Sequence, residues 1–220
     1  MAGRFTRPKN REEVVSLEAK GLWKAQAFSK RIAESKEKIS LKTILDLHGV
    51  FIGNVNPDIA GRFRKNGEDV NKLKNIEPPP GRLVNDRMYE FWKEFDTRIA
   101  KIPKHPKKDG RSQKREWLNQ VLDLAVWTQY QITVIHPFCE GNGRMARMMT
   151  NVVLRRFNLQ PSNIHHEGVN RDKYIDALGA IDNYGNFDLL KELVLNSVKE
   201  TYDKVYAVAK KARIEKRKRE

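Results

Sequence analysis

Residues 136–147 read His-Pro-Phe-Cys-Glu-Gly-Asn-Gly-Arg-Met-Ala-Arg. A helix-like apolar pattern runs into this stretch and another runs out of it, so it reads as a loop between two helices. Gly141 and Gly143 allow a tight turn whose N–H groups point outward, and a helix restarting there presents free N–H groups to an anion. Arg144 and Arg147 lie three apart in the first turns of that helix. Cations there oppose the helix dipole, which makes sense if an anion sits between them; the alternative is pairing with local carboxylates. Glu140 precedes the turn and has two readings left open by spacing alone: a Mg²⁺ ligand beside phosphate, or an acid capping the helix. His136 closes the incoming helix and has a pKa suited to accepting a proton at neutral pH. Phe138, apolar between polar neighbours, is expected to point into the core. Base, metal ligand, N–H donors and cationic clamps together suit attack by a hydroxyl on a nucleotide phosphate. The stretch is no Walker loop, because it has no Gly-Lys-Ser/Thr.

Outward from this loop the chain reads as mostly α. Helices are predicted over Glu12–Glu37, from a Ser40 cap through His48, over Val84–Ile99, Arg115–Ile135 and Asn142–Phe157, then over Asp172–Ile181 and Asp188 to about Ala209. Met145, Met148 and Met149 are expected in the core. Glycines and prolines interrupt residues 53–67, and loose alternation over Val70–Ile76 before Pro78-Pro79-Pro80 is the one candidate strand or hairpin. Lys210–Glu220 is expected to fray or extend into solvent. Three parts are predicted: a basic segment and helix over 1–40, a catalytic domain over 41–200, and a basic helix end and tail over 201–220.

The chain has 220 residues, a formal net charge of +15 and one cysteine, Cys139, which excludes an internal disulfide. The excess charge gathers in loops and ends with few aromatics and no zinc-finger or RNP-type pattern. It therefore reads as solvated surface ahead of nucleic-acid binding. No apolar run suits a bilayer and the N-terminus lacks a signal-peptide h-region, which predicts no membrane association and either a cytoplasmic protein or an effector secreted without a classical signal peptide.

The stretch His136–Arg147 resembles the Fic signature His-Pro-Phe-x-Asp/Glu-Gly-Asn-Gly-Arg-x-x-Arg at every specified position. Ala60-Gly61-Arg62-Phe63-Arg64 resembles the turn ahead of the Fic "flap", residues 70–80 resemble the flap itself, and Arg171-Asp172-Lys173-Tyr174 resembles the Arg-x-x-Tyr after the core. The similarity spans roughly 41–198. It implies a helical Fic-type domain with a small β-hairpin flap, transferring AMP from ATP to a Ser, Thr or Tyr hydroxyl of a target protein and releasing pyrophosphate.

By the same resemblance, His136 is the general base and Glu140 holds Mg²⁺ (or Mn²⁺). Gly141, Asn142 and Gly143 cradle the α-phosphate, and Arg144 and Arg147 clamp the outer phosphates. Lys74 and Asn75 lie at the nucleotide side of the flap, Tyr174 and Asp182 near the adenine, and the target docks on the flap by β-augmentation. Gly143, where the phosphorylating Doc relatives carry Lys, favours AMP transfer over Doc-type phosphorylation; a Fic-scaffold transferase using another nucleotide or phosphoryl donor is one alternative. The inhibitory Ser/Thr-x-x-x-Glu-Gly/Asn motif of many Fic proteins is absent. Helix Glu12–Glu37 is therefore assigned no inhibitory role, and inhibition is expected from a separate antitoxin-like protein or another route. A non-catalytic basic binding module is the remaining alternative.

Overall fold

The computed structural model describes residues 8, 10–35, 37–68, 70, 77–106, 110–164 and 169–219. Among them are seven α-helices: α1 (Arg11–Glu34), α2 (Leu41–Ile52), α3 (Val84–Lys101), α4 (Arg111–Ile135), α5 (Asn142–Arg156), α6 (Val169–Tyr184) and α7 (Asp188–Arg219). One 3₁₀ turn, Gly81–Leu83, leads into α3. The mostly helical expectation holds. No strand occurs among the described residues, and most of the expected flap, residues 71–76, lies outside them.

Local chemistry sets the boundaries. Asn10 caps α1 by accepting from the Glu13 amide. Ser40 and Thr43 form a reciprocal capping box at the start of α2, a device worth about 1 kcal/mol. α4 begins at Arg111, one turn earlier than the apolar pattern predicts, because good helix formers without an apolar stripe extend it into solvent. α7 runs past the expected end near Ala209 to Arg219, so of the two expectations for this end the helix extends and does not fray. Seven of its last ten residues are Lys or Arg, good helix formers, and cations at a helix C-terminus complement the macrodipole.

α4 and α5, joined by the loop 136–141, form the most extensive helix pair. Around them close α2 with Ile44, Leu47, Phe51 and Ile52, and α3 with Val84, Met88, Phe91 and Phe95, all buried. Met145, Met148 and Met149 are core residues as expected. α1 lies across α2 and α5, burying Gly21, Ala25, Ser29 and Ala33. The approach at Gly21 is close: a Cβ there would sit 2.1 Å from the Phe51 carbonyl oxygen. At the far end Arg156 of α5 donates to the carbonyls of Ile32, Ser35 and Glu37, satisfying groups that the end of α1 leaves open. No described helix is long and apolar enough to cross a membrane.

Candidate active site

α4 ends at His136 in a left-handed conformation, with φ 50° and ψ 58°. Such a conformation disfavours any residue with a Cβ, and here it marks the end of α4. Nδ1 of His136 lies 3.2 Å from the Thr133 carbonyl oxygen. A carbonyl only accepts, so Nδ1 carries the proton and Nε2 keeps its lone pair. Burial, and secondarily the charge of Arg64, holds the His136 pKa below the ordinary histidine value, against the raising effect of the Thr133 bond. The imidazole is thus neutral at pH 7 with a free acceptor nitrogen, as a general base requires.

Phe138 is fully buried, as the sequence suggests, and stacks on His48 of α2 with ring centroids 3.8 Å apart. His48 is itself fully buried. Its Nδ1 accepts from the Gly61 amide at 3.1 Å, so its Nε2 donates to the Glu140 carbonyl, also at 3.1 Å. One neutral ring therefore joins α2, the 60–64 turn and the loop. The sequence offers it only as one apolar-face position of α2, and a polar residue on such a face is the signal that marks it.

Burial is the main reason the His48 pKa falls to about 4, with the Glu140 bond opposing and Arg144 assisting. Because the folded value lies below that of the unfolded chain, the unfolded state takes up the proton first as pH drops. The stabilisation is complete above about pH 6.5 and is lost as pH falls toward 4, an effect of about 3 kcal/mol. We expect the stability gap between wild type and His48→Gln in urea melts to shrink by that order between pH 6.5 and 4. A gap independent of pH would show that His48 is not held neutral.

Asn142, 3% exposed, turns its side chain back on the loop: Oδ1 accepts from the Phe138 amide at 2.9 Å and Nδ2 donates to the Phe138 carbonyl at 2.7 Å. The side chain is thus spent on holding the loop, and only its backbone N–H can serve a phosphate. Gly141 caps α5 at φ 80°, and a Cβ on it would fall 2.7 Å from Cε1 of Phe51. The first amide bonded within α5 is that of Met145, to the Gly141 carbonyl. The N–H groups of Asn142, Gly143 and Arg144 consequently remain without helical partners.

The two arginines divide. Arg144 lies over the Phe51 ring, 4.5 Å from its centroid, and pairs with Glu18 of α1 at 3.1 Å. An acid of α1, outside any recognisable inhibitory motif, thus reaches the first motif arginine. Arg147 makes no hydrogen bond or ion pair among the described residues. Burial lowers its pKa, opposed by the nearby Tyr174 phenol. Tyr174 is 7% exposed, and its hydroxyl is buried without a hydrogen-bond partner among the described residues. Nη1 of Arg147 lies beside Gly143, 3.6 Å from where a Cβ on that glycine would sit.

Glu140 is exposed, and its carboxylate makes no hydrogen bond or ion pair among the described residues. No cluster of three or more His, Cys, Asp or Glu among these residues could hold a metal. One free carboxylate fits Mg²⁺, which takes one or two protein oxygens and completes its shell with phosphate and water. Asp182 accepts a hydrogen bond from the Tyr130 hydroxyl of α4 at 3.3 Å. Lys74 and Asn75 lie outside the described residues. Cys139 donates to Glu68, and burial and that bond raise its pKa, so it is no ready nucleophile. Glu68 is in turn gripped by both Arg62 nitrogens and by the Lys65 amide, which ties the 62–68 turn to the loop.

The loop 136–141 and the start of α5 fall within residues 38–154, which the profile of the Fic/DOC family matches. The chain belongs to the Fic/DOC family. Curated relatives of this Fic protein include "Protein adenylyltransferase Fic" of Aedes aegypti, 27% identical over 78% of this chain. The protein of the same name from Drosophila willistoni is 29% identical over 76% of it. The chain spans only about 30% of the length of these relatives. Among solved structures, a segment of Fic-1 from C. elegans aligns with 96% of this chain and 56% of its own at a TM-score of 0.66 and 23% identity. A Fic domain containing signaling protein from Bacteroides thetaiotaomicron aligns with 94% of this chain and 72% of its own at 0.62 and 18%. These likenesses support the fold.

Proposed function

We propose that this Fic protein transfers AMP from ATP to a Ser, Thr or Tyr hydroxyl of a target protein. The observation that carries the reading is Arg147: a half-buried guanidinium with no counter-ion among the described residues, next to Gly143 in the first turn of α5. A buried cation without a partner is costly, and a bound polyphosphate removes that cost.

In this reading Nε2 of His136 takes the proton of the target hydroxyl as its oxygen attacks the α-phosphorus. The bond from phosphorus to the bridging oxygen breaks and pyrophosphate leaves. The amides of Asn142, Gly143 and Arg144 receive the charge that builds on the α-phosphate oxygens. Arg147, and Arg144 once free of Glu18, hold the outer phosphates. Glu140 would hold Mg²⁺ (or Mn²⁺), which supplies neutralisation of the phosphate charge. Gly143 leaves room for the α-phosphate, since a Cβ there meets only Nη1 of Arg147 at 3.6 Å, and a long side chain would enter the phosphate space. The target segment docks on residues 70–80, with Lys74 and Asn75 near the nucleotide. Tyr174 lies near the adenine side, and Asp182 is kept there on the resemblance alone. The catalytic unit is assigned to 41–200, and a separate antitoxin-like inhibitor and a cytoplasmic or effector setting belong to the same reading.

The test is incubation with Mg-ATP and a cell lysate, followed by peptide mass spectrometry. AMP on a hydroxyl residue, absent with His136→Ala, supports the reading. A different nucleotide adduct would replace it with another transfer on the same scaffold. No adduct with any nucleotide would leave the binding-module alternative.

Glu18 competes with nucleotide for Arg144. The pair is about one-third exposed on each side and is worth under about 1 kcal/mol. Glu18→Gln is therefore expected to tighten Mg-ATP binding by up to about fivefold in calorimetry at low salt. An unchanged Kd would show that the pair does not compete.

A further inference from the structure

Arg64 is a charged side chain only 4% exposed. It leaves the turn ahead of residues 70–80 and ends on the last carbonyls of α4. Its Nε donates to the His136 carbonyl at 2.7 Å, and Nη2 lies 3.5 Å from the Ile135 carbonyl. Nη2 also donates to the Pro79 carbonyl, at the exit of that segment. Its own amide donates to the Pro137 carbonyl at 2.8 Å. One residue thus bonds three successive carbonyls, 135 to 137, and joins them to Pro79.

Two facts give this meaning. The carbonyls that end a helix have no partners of their own and carry the negative end of its dipole, so a guanidinium there is well matched. His136 is held at a positive φ, which costs on the order of 1 kcal/mol for a residue with a Cβ and persists only if its surroundings enforce it. The groups that enforce it are those bonded to residues 135–137, and Arg64 is bonded to all three.

We propose that Arg64 is a positioning residue for His136, holding the base in its left-handed conformation and fastening it to Pro79, so that the base and the exit of the 70–80 segment keep one geometry. The claim rests on reading His136 as the general base. It adds that Pro79, which follows the segment expected to dock the acceptor hydroxyl, and the group expected to deprotonate that hydroxyl are joined by one side chain. The guanidinium fork is essential to this, because it spans carbonyls on two segments at once. A lysine keeps the charge but presents a single nitrogen.

The test is Arg64→Lys, with Arg64→Gln as a second variant. ATP analogue binding by calorimetry is expected within about threefold of wild type, because Arg64 touches none of the phosphate-cradling groups. The kcat for AMP transfer is expected to fall about tenfold to a hundredfold, the penalty of a misplaced reacting group, with the KM for ATP little changed. Independently of turnover, the imidazole nitrogen shifts of His136 in NMR are expected to report a single Nδ1-protonated tautomer in wild type and a mixture in both variants. An unchanged tautomer and kcat in Arg64→Lys would overturn the proposal. So would unfolding of Arg64→Lys under assay conditions, since the group would then be holding the domain and not His136. If wild type transfers no AMP at all, the proposed function fails, and the tautomer comparison still decides the role of Arg64.

Discussion

Replacing His136 with alanine is expected to lower AMP transfer by about 10²–10⁴-fold, the range for removal of a general base, while leaving ATP binding nearly intact. The imidazole contributes a lone pair at Nε2 and no bond to the phosphate cradle. Its Nδ1 proton is directed to the Thr133 carbonyl, so the acceptor nitrogen is already in the correct tautomer. The depressed pKa gives a second readout. With the folded value below the ordinary 6.5, the base is active above that lowered value and the rate falls only as pH drops through it. A kcat profile flat down to pH 5, with chemistry shown to limit the rate, is compatible only with a still lower value or another base. Nucleotide calorimetry on His136→Ala separates a lost base from a collapsed loop.

Substitution of Arg147 is expected to have the next largest effect, and a different kind. Its guanidinium lacks a counter-ion among the described residues, and desolvation already opposes its charge. A polyphosphate arriving there forms charge-assisted hydrogen bonds worth about 1.5–3 kcal/mol. Arg147→Gln should therefore weaken ATP binding by roughly 10- to 150-fold, with the loss appearing mainly in Kd. Removing a half-buried cation that has no counter-ion among the described residues should leave the melting temperature equal or raised. A variant that binds ATP normally but melts markedly lower would mean that Arg147 serves the fold and not the nucleotide. The contrast with Arg144 is informative: that arginine is already paired with Glu18, so its loss also releases an acid.

Much of this was legible in the residues. The loop's two glycines and two arginines predict a phosphate cradle from spacing and φ requirements, and the core roles of Phe138 and the methionines follow from helical periodicity. Helix existence was readable for the same reason. What lay hidden were contacts between residues far apart in sequence. Glu18 meets Arg144 only because α1 lies across α5, and an exposed-looking acid in a helix gives no hint of that. His48 looked like one position of an amphipathic stripe, and its two backbone bonds exist only once residues 61 and 140 converge. Asn142 shows the reverse: a residue read as phosphate-binding proves to have its side chain engaged with Phe138. Arg64 was visible only as part of a familiar turn, and its bonds to residues 79 and 135–137 depend on the tertiary fold.

The most direct measurement uses two labelled forms of ATP, one carrying the label on the α-phosphate and one on the γ-phosphate, with Mg²⁺ and lysate protein. Label from the α-position alone should appear on a target or on the Fic protein itself, and His136→Ala should abolish it. Transfer of the γ-label instead would mean a kinase reaction on this scaffold and would contradict the account.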